Sequence, residues 1–167
     1  MNTLTTLAND FLSQPIIAIV GISSKPQALA NHLYKKLKTP QRYVVAIHPT
    51  LTTFDGDACY PNLQSIPQKI DGVFIAAKPE NTDRIIDDCI ALNIPRVWMH
   101  YSFGIQHSTH KSAISSVSSK AVERCRQHNI AVIPGACPMM FLEQRDPFHS
   151  CLRWCLSVTG KLKYRDL

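Results

Sequence analysis

Residues 16–26, Ile-Ile-Ala-Ile-Val-Gly-Ile-Ser-Ser-Lys-Pro, run from five apolar positions through one glycine into a short polar stretch ahead of a helical pattern. A buried strand that breaks at a glycine turn and feeds a helix presents free backbone N–H groups to an anion. This is how α/β folds hold nucleotide phosphates. The stretch therefore predicts a parallel sheet and a phosphate-bearing ligand.

Working outward, short apolar runs alternate with helical patterns along the chain, the signature of a parallel sheet covered on both faces. The strands are expected at 16–20, 43–47, 72–76, 96–100 and 130–133. The first helix, about 27–38, sets Leu29, Leu33 and Leu37 on one face with Ala30 and Tyr34 beside them. A second follows Lys78-Pro79-Glu80 and runs to about Leu92, with Ile85, Ile86, Cys89 and Ile90 as its apolar face; Pro79 suits its first turn and Glu80 its positive end. A further helix is expected over about 113–128 through Ile114, Val117, Ala121 and Cys125. Five such strands with right-handed crossovers give a Rossmann-like, doubly wound α/β sheet, expected in the order 3-2-1-4-5 with helices on both faces.

Two segments lie outside that core. Residues 2–13 read as an amphipathic helix through Leu4, Leu7, Ala8 and Phe11. Residues 147–159 read as a final helix whose apolar side, Phe148, Leu152, Cys155 and Leu156, covers an edge of the same domain or forms a subunit contact; Trp154 is core or interface, and a subunit contact in a homodimer is the favoured reading. The expected division is a Rossmann-like domain over 1–142 and a helical extension over 143–167. Residues 50–61 and 102–112 read as long irregular connections.

With 167 residues, 45% hydrophobic and 18% charged, the chain suits one α/β domain with a proper core. No apolar run approaches the ~18 residues of a membrane helix. The opening residues show no secretory pattern, so a cytoplasmic address is expected. The six cysteines form no CxxC pair, and buried thiols are expected rather than disulfides or zinc ligands; Cys151 and Cys155 are expected to share a packed helical face. The histidines at 100, 107, 110, 128 and 149 are scattered, so no metal site is expected. Trp98, inside a strand, belongs to the core. A net charge of +6 favours anionic partners. With 8% aromatic content there is no basic-aromatic stripe, which makes nucleic acid an unlikely partner.

Ligands on doubly wound sheets bind outside the C-terminal strand ends. Five loops are expected there: 21–26, 48–49, 77–79, 101–104 and 134–138. The first is not a dinucleotide fingerprint, since GxGxxG would need glycines where Ser23 and Pro26 stand. The second strand ends at His48-Pro49, where a binder of NAD would place an acidic residue for the ribose. Lys25 is either a ligand contact or a solvated lysine. Ser23 and Ser24 either cap the helix alone or cap it while binding an anion. His48 and Lys78 are open between ligand contact and a structural or surface role. Cys137 has no general base placed near it by the sequence, and no catalytic residue is expected.

Gly21-Ile22-Ser23-Ser24-Lys25-Pro26 after the first strand, His48-Pro49 after the second, Ala77-Lys78-Pro79 after the third and Cys137-Pro138 after the fifth resemble the stand-alone CoA-binding proteins. That family is similar to the CoA-binding domain of the succinyl-CoA synthetase α-subunit. The resemblance spans about residues 14–142. It implies coenzyme A or an acyl-CoA as ligand, with the phosphates near the first loop and the adenosine near the second and third. Carried over to these positions, Gly21 allows the turn, Ser23 and Ser24 donate to phosphate, Lys25 supplies charge and Pro26 starts the helix. His48-Pro49 stands for the usual Asn-Pro, and Lys78-Pro79 for Arg-Pro. Ala28-Leu29-Ala30 departs from an Arg-Pro-Ser run, removing an arginine worth about 1.5–3 kcal/mol of charge-assisted hydrogen bonding.

The synthetase carries its phosphorylated histidine in a further domain, so a non-catalytic binding protein is expected. The alternatives are an NAD(P)-dependent oxidoreductase on the same sheet, or a regulatory module binding another nucleotide or nucleic acid.

Overall fold

The computed structural model describes residues 4–105 and 115–162. The expectations for His107, His110, Ala113 and Ile114 lie outside those residues. The strands are β1 (Ile16–Val20), β2 (Tyr43–Ile47), β3 (Thr53–Phe54), β4 (Asp57–Tyr60), β5 (Gly72–Ile75), β6 (Arg96–Met99), β7 (Tyr101–Ile105) and β8 (Ala131–Ala136). The α-helices are α1 (Leu4–Leu12), α2 (Leu29–Leu37), α3 (Pro79–Ala91), α4 (Ser119–Gln127) and α5 (Pro147–Val158).

All eight strands join one mixed sheet in the order β3-β4-β2-β1-β5-β6-β8-β7. The six inner strands, from β4 to β8 across β2, β1, β5 and β6, pair parallel. The expected five strands are all present, but neither their number nor the order 3-2-1-4-5 holds. The strand expected third, β5, pairs with β1 on the side away from β2. Its expected place beside β2 belongs to β4, inside the stretch read as a loop. That stretch carries a clear hairpin signal: Asp55 and Gly56 take φ of 52° and 84°, the two positive values a tight primed turn demands. The turn pairs Thr53 with Ala58 and Phe54 with Asp57.

Two apolar layers flank the sheet, as a doubly wound fold requires. On one face α1 and α2 bury Leu4, Ala8, Phe11, Leu33, Tyr34 and Leu37, with Met140 and Phe141 filling the same cluster. On the other, α3 and α4 bury Ile85, Ile86, Cys89, Ala121, Val122 and Cys125. Trp98 is fully buried, and its indole N–H donates to the carbonyls of Gly135 (2.8 Å) and Ala136 (3.1 Å). The indole thereby satisfies its one polar atom inside the core.

Several boundaries move for local reasons. Helix α4 begins at Ser119, six residues later than expected, because Ser118 accepts from the Ala121 N–H as its cap. Ser115 instead bridges to Tyr101. Residues 101–105 form an antiparallel strand against β8 rather than a loop. Along α5 only Leu156 is buried. Phe148, Trp154 and Val158 are 69%, 67% and 69% exposed, and Cys151 and Cys155 are also exposed, so the expected packed pair of thiols is not found. The other four cysteines are buried.

Candidate ligand site at the C-terminal strand ends

Gly21 leaves β1 at φ +110°, and a Cβ there would meet the Ala76 carbonyl oxygen at 2.5 Å. Only glycine serves, both for its dihedral and for the approach of the loop after β5. The segments that follow β1 and β5 therefore touch at Gly21 and Ala76, the latter expected as the last residue of its strand.

The stretch from Gly21 to α2 is longer than a strand-to-helix turn needs. Helix α2 begins at Leu29, its cap is Ala28, and no side chain caps it. Pro26 thus does not start the helix, and Ser23 and Ser24 are not its caps. The Ser23 hydroxyl accepts from the Lys25 N–H at 3.1 Å, a local turn within the loop. What holds the loop is Asn31, which is 4% exposed. Its side-chain oxygen accepts from the Ser23 N–H (3.0 Å), while its amide nitrogen donates to the carbonyls of Ser23 (2.8 Å) and Lys25 (3.0 Å). One buried amide thus fixes the loop's path from the first turn of α2, leaving Ser24, Lys25, Pro26 and Gln27 exposed. A polar residue among Ala30, Leu33 and Leu37 on the core side of a helix is the signal that could have revealed it.

A cleft of about 380 Å³ opens beside this loop, lined by Ser23, Ser24, Pro26 and Asn31 on one wall and by Leu51, Phe54 and Asp55 on the other. The second wall is the hairpin that sequence reading took for a linker. It is fastened to the outer side of α2: Tyr34 stacks edge-on against Phe54 at 5.1 Å, and its hydroxyl donates to Asp57. Lys38 pairs with Asp57 at 2.5 Å, and Lys35 with Asp55 at 3.3 Å. Burial, then the Asp57 hydrogen bond, raises the Tyr34 pKa, while the bonds from Lys38 and Tyr34 hold the Asp57 carboxyl below the usual range.

His48 shapes the entry to the same hairpin. Its Nδ1 accepts from the N–H groups of Thr50 (3.2 Å) and Leu51 (3.1 Å). A ring nitrogen used twice as an acceptor carries no proton, so Nε2 holds the hydrogen in the neutral ring. Pro49 follows, exposed, at the turn. Lys78, exposed at the cap of α3, offers its carbonyl to the N–H groups of Asn81 and Thr82, with Pro79 in the first turn as expected.

The last loop is of another kind. Cys137 is 2% exposed and Pro138 is buried at the start of a short 3-10 turn. Burial pushes the Cys137 thiol up to about 11, away from the thiolate that reactive cysteines need. Lys78, Cys137 and Pro138 do not line the cleft beside Ser23. Ile22 is buried beneath that loop, and Ala77 is half-buried.

Comparison with known proteins places this geometry among relatives. A family model described as a CoA binding domain matches residues 16–143. The chain is 24% identical over 74 residues to acetate–CoA ligase (ADP-forming) I of Archaeoglobus fulgidus, which is 44% of this chain and 11% of that enzyme. The chain thus spans a small part of the length of that relative. Among solved structures, a hypothetical protein from Pyrococcus horikoshii OT3 superposes with a TM-score of 0.69 at 24% identity, covering 82% of this chain and 87% of its own. The dinucleotide-forming acetyl-coenzyme A synthetase 1 of Candidatus Korarchaeum cryptofilum, solved with phosphate and ADP, gives 0.58 at 22% identity, covering 79% of this chain and 27% of its own. At such identities the superpositions establish the α/β fold, while the family match, over most of the chain, establishes more: this protein belongs to the CoA-binding-domain family.

Proposed function

We propose that this protein binds coenzyme A, free or acylated, at the C-terminal edge of its sheet. The phosphates would lie against the loop from Gly21 to Ala28, and the adenosine in the cleft between that loop and the β3–β4 hairpin. The observation that carries the reading is the loop itself: a family-matched turn whose backbone is pre-set by a buried asparagine and whose outer residues, Ser24 and Lys25, stay exposed. Pre-ordered backbone lowers the entropy lost on binding. Lys25 is an exposed cation within the loop, and His48 Nε2–H is a donor on the neighbouring loop.

A binding role without chemistry of its own fits the buried, proton-retaining Cys137. Among the described residues no three His, Cys, Asp or Glu side chains converge to hold a metal ion. No described helix is long and apolar enough to cross a membrane. The exposed stripe Phe148, Cys151, Cys155 and Val158 on α5, spaced three and four apart with Trp154 beside it, is the face on which a second copy would pack.

The test is a thermal-shift and calorimetric titration with CoA, dephospho-CoA, NADPH and ATP side by side. CoA at ~100 times its Kd should add about 2.7 kcal/mol of stability, a shift of a few degrees. A shift with NADPH and none with millimolar CoA would replace this reading with the oxidoreductase one.

A further inference from the structure

A second cleft, of about 840 Å³, lies on the face covered by α1 and α2. Its walls are α1, the segment from Thr39 to Arg42, the segment from Phe141 to Arg145, and Arg153 of α5. Arg42 stands just before β2 and His48 just after it, so this cleft and the loop site sit toward opposite ends of that strand and share no lining residue. The size suits a small-molecule ligand.

Its electrostatics are lopsided. Lys36, Arg42, Arg145 and Arg153 line it against one acid, Glu143. None of the four cations forms an ion pair among the described residues, whereas Lys35, Lys38, Arg96, Lys120 and Arg124 all do. Arg42 is committed to structure: it donates to the carbonyls of Leu12, Gln14 and Leu37, tying the C-terminal ends of α1 and α2 together. Arg145 and Arg153 are differently placed. Each donates one hydrogen bond to a nearby carbonyl, Leu142 and Met140 respectively, both at 3.2 Å, and Arg153 lies 4.8 Å over the Phe141 ring. Arg153 is thus held over the Phe141 ring, and both guanidinium groups keep donors to spare. Burial, and then the neighbouring charge of Arg145, lowers the Arg153 pKa. Like charges held against apolar walls formed by Leu12, Phe141 and Leu142 repel unless an anion joins them.

We infer that this cleft binds a small polyanion, a molecule bearing two or more carboxylate or phosphate groups, grasped by Arg145 and Arg153 with Lys36 at its mouth. It is independent of the CoA site.

The test uses the full chain at low ionic strength, titrated calorimetrically with citrate and, separately, pyrophosphate. At least one should bind with a Kd below about 1 mM, and the tighter of the two tells carboxylate from phosphate recognition. The double substitution Arg145→Gln/Arg153→Gln should weaken it at least ~10-fold, and raising the salt ~10-fold should weaken it further. Lys25→Ala should leave it unchanged. Lys36→Gln alters only an exposed side chain, so it tests the cleft even if the double variant misfolds; a loss of about 2- to 5-fold is expected. Absence of binding by both probes, binding indifferent to Lys36→Gln and to the double change, or loss of binding in Lys25→Ala would each overturn the assignment.

Discussion

The chain leaves β1 and β8 at the same edge of the sheet, and both exits depend on positive φ: Gly21 at 110° just past β1, and Gly135 at 124° and Ala136 at 61° in the last two residues of β8. They do opposite things with it. After β1 the chain turns outward, is tied from below by Asn31, and presents polar groups to solvent. At the end of β8 it turns inward, gives the Gly135 and Ala136 carbonyls to Trp98 and buries Cys137 and Pro138. A positive-φ exit at a strand end is therefore not in itself a ligand site. What separates the two is the side chain that bonds to the backbone: the Asn31 amide, which accepts and donates beneath an outward turn, or the Trp98 indole, which donates to carbonyls aimed into the core.

The sharpest way to break this contrast is Gly21→Ala. The added Cβ meets a backbone carbonyl that cannot swing aside, so a loss of about 3–5 kcal/mol in denaturant unfolding is expected. A variant of near-parental stability would show that the outward loop is not fixed by its glycine.

On the inward side, burial holds the His100 pKa down to about 4, against 6.5 for an exposed ring. The unfolded chain then binds the proton more readily, so stability is full above pH 6.5 and falls as pH drops toward 4. The loss is about 3 kcal/mol at most. His100→Gln should flatten that part of the stability profile, and an unchanged acid limb would assign it to other groups.

Trp98→Phe keeps most of the apolar volume but leaves the Gly135 and Ala136 carbonyls without their indole donor. About 2 kcal/mol of destabilisation is expected, with CoA affinity within a factor of ~2 of the parent. Asn31→Ala should show the reverse balance: about 1 kcal/mol in stability, but a roughly 10-fold weaker CoA titration, because the outward loop loses its pre-set path. Smallest in stability is Lys25→Ala, whose side chain is exposed. No measurable change in unfolding is expected, only about 5-fold in CoA affinity at low salt, shrinking as salt is raised.

The inner strands were legible because each is a short apolar run followed by a periodic helix, and burial on both faces leaves little room for polar residues. Strand order was not, since β4 has only Cys59 buried and its neighbour Thr53 and Phe54 make a two-residue strand; neither produces an apolar run. The Asp55-Gly56 pair could have supplied that signal. In the site, Gly21 was legible because one residue type answers one steric demand. Asn31 was hidden: its three bonds are to backbone groups six to eight positions earlier, which no periodicity records. The exposure of α5 escaped for a related reason, because an apolar stripe reads alike whether it faces a core or solvent.

The two rims of the sheet carry a last consequence. An open parallel sheet exposes unpaired backbone at its margins and invites strand addition by other chains. Here each margin ends in an antiparallel strand, β3 at one side and β7 at the other. The first is two residues long, too short to template a partner, and the second is bulged, with Tyr101 bridged to Ser115 and the Ile105 N–H given to Lys161. The fold has blunted its own adhesive edges, so self-association in concentrated solution would proceed through helix surfaces, and cross-β aggregation would first require the margins to unravel.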